Sequence, residues 1–359
     1  MKFFIKFITN KKLYIYFCIL AFFNIFFSTD NIYAKTLSVN DIEISTPFEI
    51  NFDKNEIINE GFRLAFDQLI LSIVQTKNQK KLNKISLSII KGMIETFSIQ
   101  EERFIDEIYY LKLDVSFNKK KLFSLLESKN IFPSLPVKKN VFFIPIIIDE
   151  NKEEILMFSE SELFNKWNNK IKDYHLLNYV LPTEDLEDFN LIKNNYEFIE
   201  KYDFKEITNK YYLKDSIIVL FFKNEKEIRI LSRITILDEV ILKNQSFSNI
   251  DISDTKKLDN IIKDLKNVYE DYWKNYNQIN TSIKLSLNIK VDSSDNPKIL
   301  NFEKILNEID LIYDFFISKF DKDFTYYKII YNGTPNNFIK SMNENSYRLN
   351  TQNKIWILE

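Results

Sequence analysis

Apolar residues recur along this chain in two periods, and the switches between them mark out its elements. Ile58, Phe62, Ala65, Leu69 and Ile73 are spaced by four, three, four and four, one stripe of an amphipathic helix. Before that stripe, residues 37–52 read as largely extended; after it a short helix is predicted over 82–91. Two strands are predicted next, over 93–104 and 108–117. In the second, Tyr109, Leu111, Leu113, Val115 and Phe117 alternate with Ile108, Tyr110, Lys112, Asp114 and Ser116, the period of a half-buried strand. A helix over 120–129 closes this region.

The run Val141-Phe142-Phe143-Ile144-Pro145-Ile146-Ile147-Ile148 has no polar alternation, which suits a strand buried on both faces. A helix over 161–172, a strand over 176–181, and strands over 216–222, 227–236 and 239–243 follow. The spacing of Leu258, Ile261, Leu265, Val268, Tyr272 and Tyr276 then predicts a long helix, and a strand over 282–291 comes after it. The remaining pattern is helix (302–310), strand (311–320), strand (324–332), helix (335–343) and two short strands ending at Leu358. There Asn332-Gly333 supplies the turn, Thr334 the helix cap and Pro335 the first helical position.

Two stretches interrupt these patterns. Phe132-Pro133-Ser134-Leu135-Pro136 disfavours both helix and interior strand, and Ser293-Ser294-Asp295-Asn296-Pro297 is a run of turn formers. The expected class is a multi-domain α+β protein. It has a strand-helix-strand-strand domain over 35–134, a central α/β sheet domain over 138–292 and a small α+β module over 298–359.

The first 34 residues follow a different logic. Lys2, Lys6, Lys11 and Lys12 precede an apolar run from Leu13 to Phe23 that resumes at Ile25-Phe26-Phe27, and Ala34 ends a polar stretch. That order is the order of a secretory leader, with cleavage between Ala34 and Lys35. An uncleaved anchor is the alternative, although Leu13 to Phe27 is 15 residues and a spanning helix needs about 20. The expected destination is the periplasm, with the membrane touched only through the transient leader.

Composition narrows the chemistry. The net charge is −2 and the lysine doublets and triplets are scattered among acids, so no basic face for nucleic acid is expected. Cys18, the single cysteine, lies inside the leader, and His175 is the single histidine, which excludes thiolate and His-rich metal sites. Gly61, Gly92 and Gly333 are the only glycines, so neither a phosphate loop nor a G-x-S-x-G elbow exists. Asn can replace Gly at left-handed turns. No cofactor is expected.

The sharpest cluster is Glu184-Asp185-Leu186-Glu187-Asp188 after Leu181-Pro182-Thr183. Its four carboxylates suit a divalent cation. They also suit the first turn of a helix capped by Thr183, where the dipole favours negative charge. Ser88-Ile89-Ile90-Lys91 and Ser294-Asp295-Asn296 match two pieces of a penicillin-binding-type serine site, but no K-T-G exists and the pieces fall in different predicted domains. Glu101-Glu102-Arg103 could pair carboxylates or mark a polar strand edge.

Several segments together resemble the domain of unknown function 2066 family, envelope proteins of Gram-negative bacteria. They are Glu60 to Leu69, Phe97 to Arg103 with Tyr109 to Phe117, Val180-Leu181-Pro182 with Asp185-Leu186-Glu187-Asp188, Ile329 to Gly333, and Lys354 to Leu358. The chain departs from that pattern at Tyr211-Tyr212-Leu213-Lys214-Asp215, where relatives tend to have Tyr-Gly-Ala-Asp. The central layout is loosely similar to the N-terminal domain of TolB, an analogy of fold alone. The resemblance transfers no catalytic residues.

Two functions are therefore expected in competition. The first is a periplasmic scaffold that binds envelope partners without catalysis. Its expected binding surface is the aromatic set Tyr326, Tyr327, Tyr331, Tyr347 and Trp356, the type enriched at interface hot spots. The same residues could instead fill the module's core. The second is an envelope hydrolase or metal-dependent enzyme using Glu184, Asp185, Glu187 or Asp188.

Overall fold

The alternating segment predicted over 108–117 is the middle strand of a three-stranded sheet. The computed structural model describes residues 37–359 apart from 171, 173, 225, 226 and 249–253; the leader and the Ala34–Lys35 junction lie outside the described residues. The first part runs β1 (Leu37–Pro47), α1 (Lys54–Ile73), α2 (Thr76–Gln79), α3 (Leu87–Met93), β2 (Ile94–Ile105), β3 (Ile108–Phe117) and α4 (Lys119–Ser128). The sheet order is β1-β3-β2, antiparallel throughout. Tyr109, Leu111, Leu113, Val115 and Phe117 all point into the core, against Phe62, Ala65, Phe66, Leu69 and Ile73 of α1.

Asp53 starts α1 by accepting a hydrogen bond from the Asn55 N–H. Gly61 is where helix and sheet come closest: a β-carbon there would collide with Cδ1 of Leu113 and lie 3.0 Å from Cδ1 of Ile44. The helix predicted over 82–91 begins only at Leu87, as α3; the stretch before it, which follows α2, is a turn that buries Leu82 and Ile85. Ser86 accepts from the Ile89 N–H, and so begins a new helix rather than continuing one.

The central part runs β4 (Lys139–Asp149), β5 (Glu154–Leu156), α5 (Glu162–Trp167), β6 (Leu177–Val180), α6 (Leu186–Asn194), α7 (Lys205–Asn209), β7 (Ser216–Lys223), β8 (Glu227–Ile236), β9 (Glu239–Ser248) and α8 (Thr255–Tyr276). The order is β5-β4-β7-β8-β9, with β6 also on β4. The β4–β6 and β4–β7 pairs are parallel and β7-β8-β9 antiparallel. Both faces of β4 are buried, as its unbroken apolar run requires. Val141, Phe143 and Ile147 meet α5 and α8, while Phe142, Ile144, Ile146 and Ile148 meet the layer of α6 and α7.

The last part runs β10 (Leu285–Asp292), α9 (Asn296–Glu308), β11 (Ile312–Phe320), β12 (Phe324–Tyr331), α10 (Pro335–Glu344), β13 (Leu349–Asn350) and β14 (Trp356–Leu358), in the order β11-β12-β10-β14-β13. This places the strand predicted over 282–291 in the third sheet, not the central one. β10 pairs with β12 along its whole length, from Leu285 opposite Tyr331 to Asp292 opposite Phe324, and Leu287, Ile289 and Val291 join the core of Phe302, Leu306 and Ile329. The Ser293–Pro297 break is thus a turn inside this sheet's module. Asp295 within it caps α9, accepting from the Lys298 N–H.

The fold class is α+β, with three separately cored sheets. Leu37–Glu359 form one compact unit. The proline-rich stretch lies where the first and central sheets meet: Leu135 N–H donates to Asn277 and the Ile279 N–H donates to Pro133. The third sheet is tied to the first by Lys119, which donates to the Asp310 carbonyl, and by Lys120, 2.5 Å from the Asp314 carboxylate. Among the described residues no helix is long and apolar enough to cross a membrane.

Candidate functional site

In α8 Leu258, Ile261 and Leu265 of the predicted stripe are buried and Val268 and Tyr272 pack on the same core, but the buried face is wider than that stripe. Tyr276 is exposed, while Leu258, Ile262, Leu265, Tyr269 and Trp273 are buried, and beside them lie Lys266, Glu270 and Lys274, all at most 4% exposed. The helix is covered on two sides, by the central sheet and by the first module. Its second covered side carries charges, which a search for apolar periodicity passes over.

Each of these charges serves a backbone. The Lys266 ammonium donates to the Trp167 carbonyl at 2.7 Å and sits over the Trp167 and Tyr179 rings. Glu270 accepts from the N–H groups of Leu176 and Leu177 at 2.9–3.0 Å, just where β6 begins. Lys274 donates to the carbonyls of Leu71 and Val74 at the C-terminal end of α1, the latter shared with the Gln79 side chain, where positive charge complements the helix dipole. Asp271 and Asn275 continue the row, accepting from the Thr76 N–H and the Gln75 side chain respectively.

Burial sets the protonation tendencies. Desolvation raises the Glu270 carboxyl above its ordinary value, opposed by the Leu177 and Leu176 N–H groups and by Lys274 and Lys138. Desolvation lowers Lys274, opposed by the negative charges of Glu270 and Asp271. His175, half-buried beside this row, is lowered to about 4 by desolvation and by the lysines 266, 274, 138 and 172. Its Nδ1 accepts from the Lys172 N–H at 3.0 Å, which requires the neutral ring at that nitrogen.

The acidic segment is a helix start, with its cap displaced from the expected residue. Asp185, not Thr183, is the N-cap of α6, accepting from the Glu187 N–H; the Thr183 N–H donates to the Tyr211 hydroxyl instead. The carboxylates also divide between two partners. Glu184 accepts from the Ser159 N–H, while Asp185, Glu187 and Asp188 lie 3.0, 3.8 and 2.6 Å from one ammonium, Lys210. Lys210 is held well above its ordinary value, chiefly by its hydrogen bonds to Asp188 and Asp185. A lysine therefore occupies the centre that a cation would need. Among the described residues no group of three or more His, Cys, Asp or Glu could hold a metal ion.

The other motifs separate in space. Ser88 lies on α3 and Ser294 in the turn before α9, where its N–H and hydroxyl both donate to Asp292. Glu101 pairs with Arg103 at 2.9 Å, whereas Glu102 accepts from Lys54 and from the Tyr109 hydroxyl. Glu101 and Glu102 point to opposite faces of β2 and do not converge.

The aromatic set of the C-terminal module divides by strand parity. Tyr327 and Tyr331 point inward from β12 and are fully buried, the former donating to Glu303 at 2.6 Å. Tyr347 and Trp356 are half-buried against the same core. Tyr326 alone points to the opposite face, under the Lys319 ammonium. Buried rings cannot touch a partner, so of the five residues Tyr327 and Tyr331 are core. The alternation of β12 carried that signal.

Large apolar side chains are exposed in the other modules as well. Phe48, Ile50, Phe104 and Ile105 gather at one end of the first sheet, near a depression of about 290 Å³ on its outer face lined by Glu43, Ser45, Glu101, Arg103, Tyr110 and Lys112. No family model matches the chain, and no curated protein matches it.

Proposed function

We propose that this chain is an exported protein of the cell envelope that works by holding a partner on a rigid three-module frame, without turning over a substrate. The observation that carries the reading is the row Lys266, Glu270, Asp271 and Lys274. Buried ionisable groups are where catalysis is usually sought, and here they spend their hydrogen bonds on the backbones of three other segments. Lys266 and Glu270 brace α5 and the start of β6 within the central module, while Asp271 and Lys274 fix the first module against it. Export rests on the leader-like residues 1–34, and the resemblance to the domain of unknown function 2066 family supports the same location. The acidic segment contributes a capped helix and a triply contacted lysine to this frame.

The test is fractionation of cells producing the full chain, followed by in-cell crosslinking and mass spectrometry. The expected result is a periplasmic protein joined to a defined partner. Recovery in the cytoplasm rejects export, and a periplasmic protein that crosslinks to nothing rejects the scaffold.

A further inference from the structure

The turn between β2 and β3 and the loop between β1 and α1 form one tip. Asp106 and Glu107 both take positive φ, 50° and 60°, the conformation of a tight two-residue hairpin. The Glu107 carbonyl accepts from the Phe48 N–H at 2.7 Å, which fastens the loop to the turn. Phe48 packs on Phe52 and Phe104 with ring centres 4.6 and 4.9 Å apart, and Phe52 rests on Tyr109 at 4.7 Å. Tyr109 is buried and its hydroxyl donates to Glu102, so the cluster is rooted in the core.

From that root the tip presents apolar surface to water. Phe48, Ile50, Phe104 and Ile105 are 49%, 104%, 57% and 46% exposed. Ile50 gains nothing from the fold, and four large apolar residues exposed on one fastened turn and loop, with Phe104 and Ile105 on opposite faces of β2, are the mark of an interaction site rather than of scattered exposure. Glu49, Asp53, Asp106 and Glu107 stand exposed among them. The neighbouring cations are already engaged, Lys54 with Glu102 at 2.7 Å and Arg103 with Glu101 at 2.9 Å. Among the described residues Glu49, Asp106 and Glu107 have no ion-pair partner.

We infer that this tip is a docking surface for a polypeptide segment that presents apolar side chains flanked by lysine or arginine. The inference rests on the partner-binding reading above and names the surface that reading needs. An anionic lipid surface would meet the same four carboxylates and be repelled, whereas a basic segment complements them. The turn–loop hydrogen bond and the rooted rings hold the surface in place before binding, which lowers the ordering cost of association.

The probe is a short fluorescein-labelled peptide of alternating leucine and lysine, with the leucine–glutamate counterpart as control. Anisotropy with the purified protein should show the basic peptide binding at least about tenfold more tightly than the acidic one. Hydrogen exchange in its presence should slow at residues 47–53 and 104–108. The double variant Ile50→Ser, Phe104→Ser should lose about tenfold in affinity. The charge reversal Glu49→Lys, Glu107→Lys, confined to exposed positions, should invert the preference. Protection centred elsewhere, equal binding of the two peptides, or co-sedimentation with phosphatidylethanolamine–phosphatidylglycerol vesicles that depends on Ile50 would each overturn the assignment. A charge-reversed protein that still captures the native partner in cells sinks the tip alone; wild-type protein that captures nothing sinks the reading beneath it.

Discussion

The ammonium of Lys274 lies 2.5 Å from the carbonyl oxygen of Leu71, 203 positions earlier in the chain. One side chain of α8 thereby terminates α1, which belongs to a different sheet's core. The first module's long helix thus ends where the central module supplies its missing donor.

Replacing Lys274 by Met keeps the volume and removes the donor. The Leu71 carbonyl at the end of α1 then loses its side-chain donor, and Glu270 loses a nearby positive charge. An unsatisfied buried group costs about 1–3 kcal/mol, so the urea midpoint should fall by an equivalent amount. An unchanged midpoint would show that the row does not fasten the modules.

His175 makes stability depend on pH. Its folded value of about 4 lies below the free value of about 6.5. Between those values the unfolded chain binds the proton and the native one does not, so its contribution is complete above the upper value and lost as pH falls toward the lower. The slope is at most about 1.4 kcal/mol per pH unit, reduced by the screening of a half-exposed ring. Glu270, raised by burial, acts in the opposite sense as pH rises above its ordinary value. Comparing the wild type with His175→Asn at pH 5 and pH 7 isolates the histidine: the variant should lose less stability at the lower pH. Parallel losses in both proteins would remove His175 from the account.

Asp185 and Asp188 differ in burial, the first about a third exposed and the second 1%. Asp188→Asn should cost about 2 kcal/mol, less than a fully buried broken pair because Lys210 can still reach water. Asp185→Asn should cost clearly less, since Asn also caps helices. Equal costs in thermal melts would contradict the assignment of cap to one and buried anchor to the other.

Tyr212 takes a φ of 54°, the conformation glycine prefers. Its ring is 95% exposed and stabilises nothing. Holding a β-carbon there costs about 1–2 kcal/mol, and glycine's extra freedom in the unfolded chain returns about 0.5–1. Tyr212→Gly should therefore raise stability by about 0.5–1 kcal/mol, read as a higher melting temperature. A lower one would show that the Tyr212 ring has a native contact.

The legible part of the fold was the part that repeats. The alternation in β3 and the unbroken run in β4 each describe one element against one or two apolar layers, so periodicity sufficed. The burial of Lys266, Glu270 and Lys274 did not announce itself, because their partners are backbone groups far off in the chain. Their spacing of four and four beside an apolar stripe was the available hint. Membership of β10 was hidden for a related reason: Leu287, Ile289 and Val291 record that the strand is covered, not which sheet covers it. The scarcity of glycine misled as well. Among the left-handed positions of the described residues only Asn130 is an asparagine, while Asp106, Glu107, Leu237 and Asp238 turn the hairpins. Gly333, read as a turn former, has no positive φ; it leaves room beside the Tyr331 ring.

The placement of β14 between β10 and β13 also sets a schedule. The first sheet needs nothing beyond Phe117, so it can close while most of the chain is still being made. The third cannot: Ile289 and Lys290 take Trp356 and Ile357 as neighbours, so β10 emerges early and waits with one edge open. Long-range closure of that kind is slow, and an open edge recruits other strands. The vulnerable interval in this protein's life is therefore the one between the synthesis of Asp292 and the arrival of Leu358.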